Sequence, residues 1–172
     1  MDAKAQDQVA ALFLDYSSRK LEQMDTYVAA CLNRLTDEQI WGRGGAHENA
    51  VGNLILHLCG NMRQWIMHGV GGQPDVRVRD AEFAAAGGMG GKDLLALFSA
   101  TIAEARAVLD ALPAARLTDR TNPQPTGQIG EVSVLEAIYQ VVGHVQQHVG
   151  QIILLTKQMA ATDLDLTMPR PR

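Results

Sequence analysis

His144 and His148 stand four residues apart in a run, Ala137 to Thr156, that contains no Asp, Glu, Lys or Arg. On an α-helix this spacing stacks two imidazoles on one face, one turn apart, where both can bind one metal ion. Their polar neighbours are the amides Gln140, Gln147 and Gln151, with Gly143 and Gly150 close by. A solvated helix face usually carries charge. Neutral hydrogen-bonding groups suit a half-buried polar site instead.

A third histidine has the same surroundings. From Ala50 to Met62 there is again no charged residue, and His57 sits in that stretch. It lies off the apolar stripe of Val51, Leu54, Ile55, Leu58, Met62, Trp65 and Ile66, on the side of Asn53, Gly60, Asn61 and Gln64. Three neutral imidazoles from two packed helices form an open metal site, with a coordination position left for water or substrate. Zn²⁺, Ni²⁺, Co²⁺ and Fe²⁺ all suit such a site, and spacing does not separate them. Asn53, Asn61, Gln140, Gln147 and Gln151 are candidates for orienting the rings by hydrogen bonds. The alternative is a hydrogen-bonded histidine pair on a helix surface, with His57 pointing elsewhere.

The remaining polar groups carry less chemistry. His47 and His68 fall at the ends of the second helix and read as surface residues. Arg77, Arg79, Asp80 and Glu82 read as solvated loop charges. If their loop folds over the metal, Arg77 or Arg79 would hold an anionic substrate. No general base stands out, because Glu136 is accounted for by helix capping.

The elements that must position these groups are helices. Apolar residues recur at three and four positions over about 5–35, 50–68, 92–112 and 134–160. Asn49 reads as the N-cap of the second helix. Ser133 and Glu136 form a capping box that starts the histidine helix, and Pro113 ends the third. Two long connections join these helices. Gly69 to Gly91 is long enough to act as a lid. Ala114 to Val132 holds Pro123, Pro125 and Gly127, and a tail with Pro169 and Pro171 follows the last helix. Without strand alternation, an internal repeat, a phosphate-binding glycine loop or a nucleophile elbow, the pattern gives a single all-α domain over 1–172, a helical bundle.

Composition bounds the function. The 172 residues carry a net charge of −4 and no basic cluster, which argues against nucleic acid as a partner. The acidic start shows no export signal. The glutamines and histidines in the uncharged run argue against a membrane span. Cys31 and Cys59, in apolar helical surroundings, read as reduced core residues, so a cytoplasmic location is expected. Trp41 and Trp65 read as packing residues.

His57 with the His144–His148 pair resembles the pattern of the DinB/YfiT-like superfamily of metal-dependent proteins. Trp41-Gly42-Arg43, the stretch from Glu48 to Ile66, Arg79-Asp80-Ala81-Glu82-Phe83 and His148-Val149-Gly150-Gln151-Ile152 are similar to a subfamily of unknown function within it. The resemblance covers nearly the whole chain. It implies a four-helix bundle in up-down-down-up order, a divalent metal on His57, His144 and His148, and frequently a homodimer. Relatives include thiol-dependent enzymes that use mycothiol or bacillithiol, as S-transferases or as a maleylpyruvate isomerase.

The expectation is therefore a metal-dependent enzyme acting on a small molecule. Thiol S-transfer with a low-molecular-weight thiol cosubstrate leads, and metal-assisted addition or hydrolysis follows. The alternative is a non-catalytic, stress-related dimeric bundle that binds metal or a small ligand; the lack of a carboxylate on the charge-free faces keeps it open.

Overall fold

The computed structural model describes residues 3–121 and 131–166. The described chain is helical, and its only β feature is one isolated bridge between Arg120 and Ser133. Pro123, Pro125, Gly127, Pro169 and Pro171 lie outside the described residues.

Helix α1 spans Ala3–Leu32. Leu21, Met24, Val28, Cys31 and Leu32 recur at helical spacing and are buried, while Asp15 and Arg19 pair on the wet side at 2.7 Å. The helix expected to reach Leu35 stops earlier, because Thr36 caps a new one, α2 (Asp37–Trp41). Thr36 Oγ1 accepts from the Gln39 amide at 3.2 Å, and Gln39 Oε1 accepts from the Thr36 amide at 2.9 Å. A five-residue helix is too short to show a period in sequence.

Helix α3 (Val51–Met62) begins after Ala50, not at the expected Asn49 cap. Asn53 Oδ1 reaches back to the Ala50 amide at 3.2 Å and supplies the cap from inside the helix. The chain continues from α3 without a break into a π-helical segment, Arg63–Val70. The connection that follows is not all coil: it contains α4, Arg79–Ala84. Helix α5 (Gly91–Asp110) buries Leu94, Phe98, Ile102, Ala105 and Leu109. A 3₁₀ turn (Ala114–Thr118) leads toward α6, Val134–Ala160. The capping box expected there is present: Ser133 Oγ accepts from the Glu136 amide at 3.2 Å, and Glu136 Oε2 accepts from the Ser133 amide at 2.7 Å.

Side-chain pairs give the helix directions. Ser99 donates to Asp25 at 2.7 Å, and Arg106 pairs with Glu22 at 2.9 Å, so α5 runs against α1. The ends of α1 and α6 meet where Arg34 reaches the Asp163 carbonyl at 3.5 Å. The buried core lies between these long helices, with Leu58, Met62, Ile66, Phe98, Ile138 and Ile152 fully enclosed. Burying each such side chain contributes about 1.5–3 kcal/mol. No helix among the described residues is long and apolar enough to cross a membrane.

Candidate metal centre

α3 and α6 bring His57, His144 and His148 together. One ligand atom from each lies within 4.8 Å of the other two. The ring centroids are 5.0 Å apart for His57 and His144, 5.1 Å for His57 and His148, and 4.5 Å for His144 and His148. Nε2 of His57 and Nε2 of His144 are 2.9 Å apart. Two ring nitrogens this close either share a proton or face one cation.

The rings are held from behind. His148 Nδ1–H donates to Gln151 Oε1 at 2.7 Å, which leaves Nε2 as its unprotonated nitrogen. His57 Nδ1–H donates to Glu82 Oε2 at 3.0 Å. Burial, then the neighbouring His148 and His57, push His144 down to about 4. Burial also lowers His148, although its bond to Gln151 works the other way. Both are therefore neutral at physiological pH, the form that ligates a metal.

Glu82 arrives from α4 and is only 8% exposed. Burial alone would raise its pKa, but hydrogen bonds from Arg77 and His57 and the Arg77 charge outweigh that and hold the carboxyl below its usual range. Arg77 meets it as a fork, Nε to Oε1 at 2.7 Å and Nη2 to Oε2 at 2.9 Å. Nη2 of Arg77 also lies 3.1 Å from His57 Nδ1, since both converge on the same oxygen. The third arginine nitrogen, Nη1, donates to Gln64 Oε1 at 3.0 Å, and Gln64 in turn donates to Asp75 at 2.8 Å. Gln64 belongs to the π-helical segment, a form often found at functional sites.

The backbone of α4 is fastened to α3 as well. Asn53 Nδ2 donates to the carbonyls of Glu82 at 2.9 Å and Ala85 at 2.7 Å. Arg43 Nη2 donates to Asn53 Oδ1 at 2.9 Å and to the Phe83 carbonyl at 3.1 Å. The Phe83 ring then covers His57, with centroids 4.9 Å apart. Arg79 lies over the Phe83 ring at 4.9 Å.

Residues 8–172 match the family described as "Protein of unknown function (DUF1572)". The chain belongs to the DUF1572 family. No curated protein matches it. This DUF1572 chain is similar to a solved structure, the "conserved protein of locus from Enterococcus faecalis", with a TM-score of 0.68 and 14% identity over 86% of this chain and 97% of that one. At that identity the likeness concerns the fold.

The other residues singled out in the DUF1572 sequence divide clearly. Gln151 touches a ring, and Asn53 acts one step away by holding α4. Asn61, one turn after His57 on the same face, buries Oδ1 with no hydrogen-bond partner among the described residues. Such an orphan acceptor fits a site built to receive a polar ligand. Gln140 and Gln147 are exposed. Arg77 has its guanidinium committed to Glu82 and Gln64, whereas Arg79 is exposed. His47 is exposed, and His68 donates from Nδ1 to the Gln73 carbonyl at 2.6 Å. Trp65 is buried, and Trp41 Nε1 donates to the Met89 carbonyl at 2.8 Å.

One expectation needs correction. Arg77 and Glu82 are not solvated loop charges: one turn of α4 swings Glu82 inward, and Arg77 follows to neutralise it. The carboxylate nearest the rings thus comes from the connection, while the faces of α3 and α6 carry none, as expected. In the sequence this stretch is only Arg79-Asp80-Ala81-Glu82-Phe83, too short to show a period.

Proposed function

We propose that this protein is a metal-dependent member of the DinB/YfiT-like superfamily, a four-helix bundle in up-down-down-up order. The three-histidine cluster carries the reading: three imidazole nitrogens within 4.8 Å of one another, from two helices. The donor set fits a divalent ion such as Zn²⁺, Ni²⁺, Co²⁺ or Fe²⁺. His144 and His148 are held neutral, Gln151 and Glu82 aim two of the rings, and the unpartnered Asn61 oxygen stands one turn away. A divalent ion there supplies a Lewis-acid position at which a thiol or water loses its proton more readily.

The protein's own residues set the charge at this place. His144 and His148, held neutral, add none, and Glu82 and Arg77 cancel each other. Arg79, over Phe83, forms no ion pair among the described residues. The centre is thus cationic overall once loaded, and it favours a small anionic or thiol substrate, with Arg79 as the contact for an anionic group. The reaction class that fits is thiol S-transfer, with metal-assisted addition or hydrolysis behind it.

One observation favours a second reading, a non-catalytic bundle that binds metal or a small ligand and pairs as a homodimer. The carboxylate nearest the centre, Glu82, is fully engaged by Arg77 and His57 and is not free to move protons. Open space above Gly143 and Gly150 on α6 leaves room for a second copy.

The test is elemental mass spectrometry on untagged protein purified without added metal, followed by a thiol-plus-electrophile assay. Near-stoichiometric metal with accelerated thiol addition supports the enzyme. Metal without acceleration supports the binding module. Protein that arrives empty and takes up neither Zn²⁺ nor Ni²⁺ overturns both metal readings.

A further inference from the structure

Glu82 does not face the space between the three imidazoles; it stands behind His57. We infer that Glu82 is a positioning residue for the metal centre: it fixes the His57 proton on Nδ1 and thereby frees Nε2 to ligate. The inference rests on the metal-binding reading above.

A neutral imidazole carries one ring proton, and only the unprotonated nitrogen can bind a cation. His57 Nε2 faces His144, so the useful tautomer is the one protonated at Nδ1. Glu82 Oε2, 3.0 Å from Nδ1, is the acceptor that selects it. The opposite tautomer would turn a ring lone pair toward a carboxylate oxygen; Arg77 Nη2, 3.1 Å from Nδ1, is the donor that could meet that lone pair, but it already bonds Glu82 Oε2 at the shorter 2.9 Å.

The arrangement around Glu82 is too extensive for an incidental contact. Arg77 forks onto both of its oxygens at 2.7 and 2.9 Å. Gln64 anchors that arginine at 3.0 Å. Asn53 holds the Glu82 carbonyl at 2.9 Å. Gly60 completes the cradle, because a Cβ there would collide with the Glu82 carboxylate and meet Arg77 Nε at 3.0 Å. A buried ion pair is a weak source of stability, and apolar side chains of the same volume often serve as well. What apolar side chains cannot do is accept the Nδ1 proton. A carboxylate behind a metal-ligating histidine orients the ring and makes it a better ligand. Binding free energies are reciprocal, so a cation at Nε2 also tightens the docking of α4 and the residues leading into it.

The experiment titrates Co²⁺ or Zn²⁺ into metal-stripped protein against a chromophoric chelator, in the parent, Glu82→Ala, Glu82→Gln and Gly60→Ala. Glu82→Ala is expected to bind about 10–100-fold more weakly. Glu82→Gln should lose less, because an amide oxygen still accepts from Nδ1. Gly60→Ala should lose affinity with every polar group retained, and it serves if Glu82→Ala fails to fold. A second readout is ¹⁵N NMR of the imidazoles, where the parent should show His57 protonated at Nδ1 and Glu82→Ala should shift toward Nε2. A parent that binds metal alongside variants that bind equally well overturns the role of Glu82 and leaves the metal centre standing. A parent that binds nothing overturns the metal reading, and the His57 tautomer in the spectra still decides whether Glu82 selects it.

Discussion

The carboxylate of Glu82 stands 3.0 Å from Nδ1 of His57, 25 positions away in the chain. The candidate centre is therefore built from three pieces, α3, α6 and the segment around α4. This contact has a pH signature. The Glu82 carboxyl is held below its ordinary value of 4.5 in the folded protein. A depressed carboxyl stabilises the fold above its unfolded pKa, and the contribution is lost as pH falls through its folded value. The stability gap between the parent and Glu82→Gln should be widest at neutral pH and narrow below 4.5. Urea unfolding at several pH values between neutrality and acid checks this.

The histidines themselves should dominate metal retention. On the proposed reading, changing His57, His144 or His148 to Ala removes a ligand outright, so each should cost more than the roughly 10–100-fold typical of losing an outer partner. Equilibrium dialysis against buffered Zn²⁺ measures it. If one of the three variants keeps parental affinity, that histidine is not a ligand.

Asn53 should matter more to stability than its size suggests. It is fully buried and bonds the Ala50 amide, Arg43 and the carbonyls of Glu82 and Ala85. Asn53→Ala leaves several of these groups unpaired, each costing about 1–3 kcal/mol. A loss of about 3 kcal/mol in denaturant unfolding is expected, together with faster amide exchange in α4.

Gly52 is a packing requirement. A Cβ at this position would meet the Trp41 ring at 2.8 Å. The ring is tied down by its bond to the Met89 carbonyl at 2.8 Å. Gly52→Ala should destabilise by about 1–3 kcal/mol through overpacking and shift the tryptophan fluorescence.

The cysteines should be silent in the folded state. Both are buried, and burial pushes the Cys59 thiol up to about 11. Burial raises Cys31 too. At pH 8 neither should react promptly with a disulfide reagent, and both should react once the chain is unfolded. A raised thiol pKa also means that stability declines as pH climbs from the unfolded value of 9.0 toward 11. A fast-reacting thiol at pH 8 would contradict this packing.

Much of the helical pattern was legible because it is local. The box at Ser133 and Glu136 needs only neighbouring residues, and α6 ends at Ala160, where its pattern ends. The shared face of His144 and His148 follows from 3.6 residues per turn. The buried stripe of α3 follows in the same way. What escaped was short or non-local. α2 and α4 have five and six residues and show no period. The switch to π-helical turns after Met62 leaves no mark in the residue pattern.

By itself the sequence determined an all-α pattern, two charge-free helix faces, the His144–His148 pair on one and His57 on the other, because periodicity and capping are properties of adjacent residues; that the three rings meet was decided by the packing of α3 on α6. The tertiary structure decided which groups stand behind those histidines. Glu82 and Arg77 look like ordinary loop charges in the sequence. They become a buried pair against His57 because Gly60 lacks a side chain, Asn53 and Arg43 hold the α4 carbonyls, and each charge is acceptable inside the protein only with the other beside it.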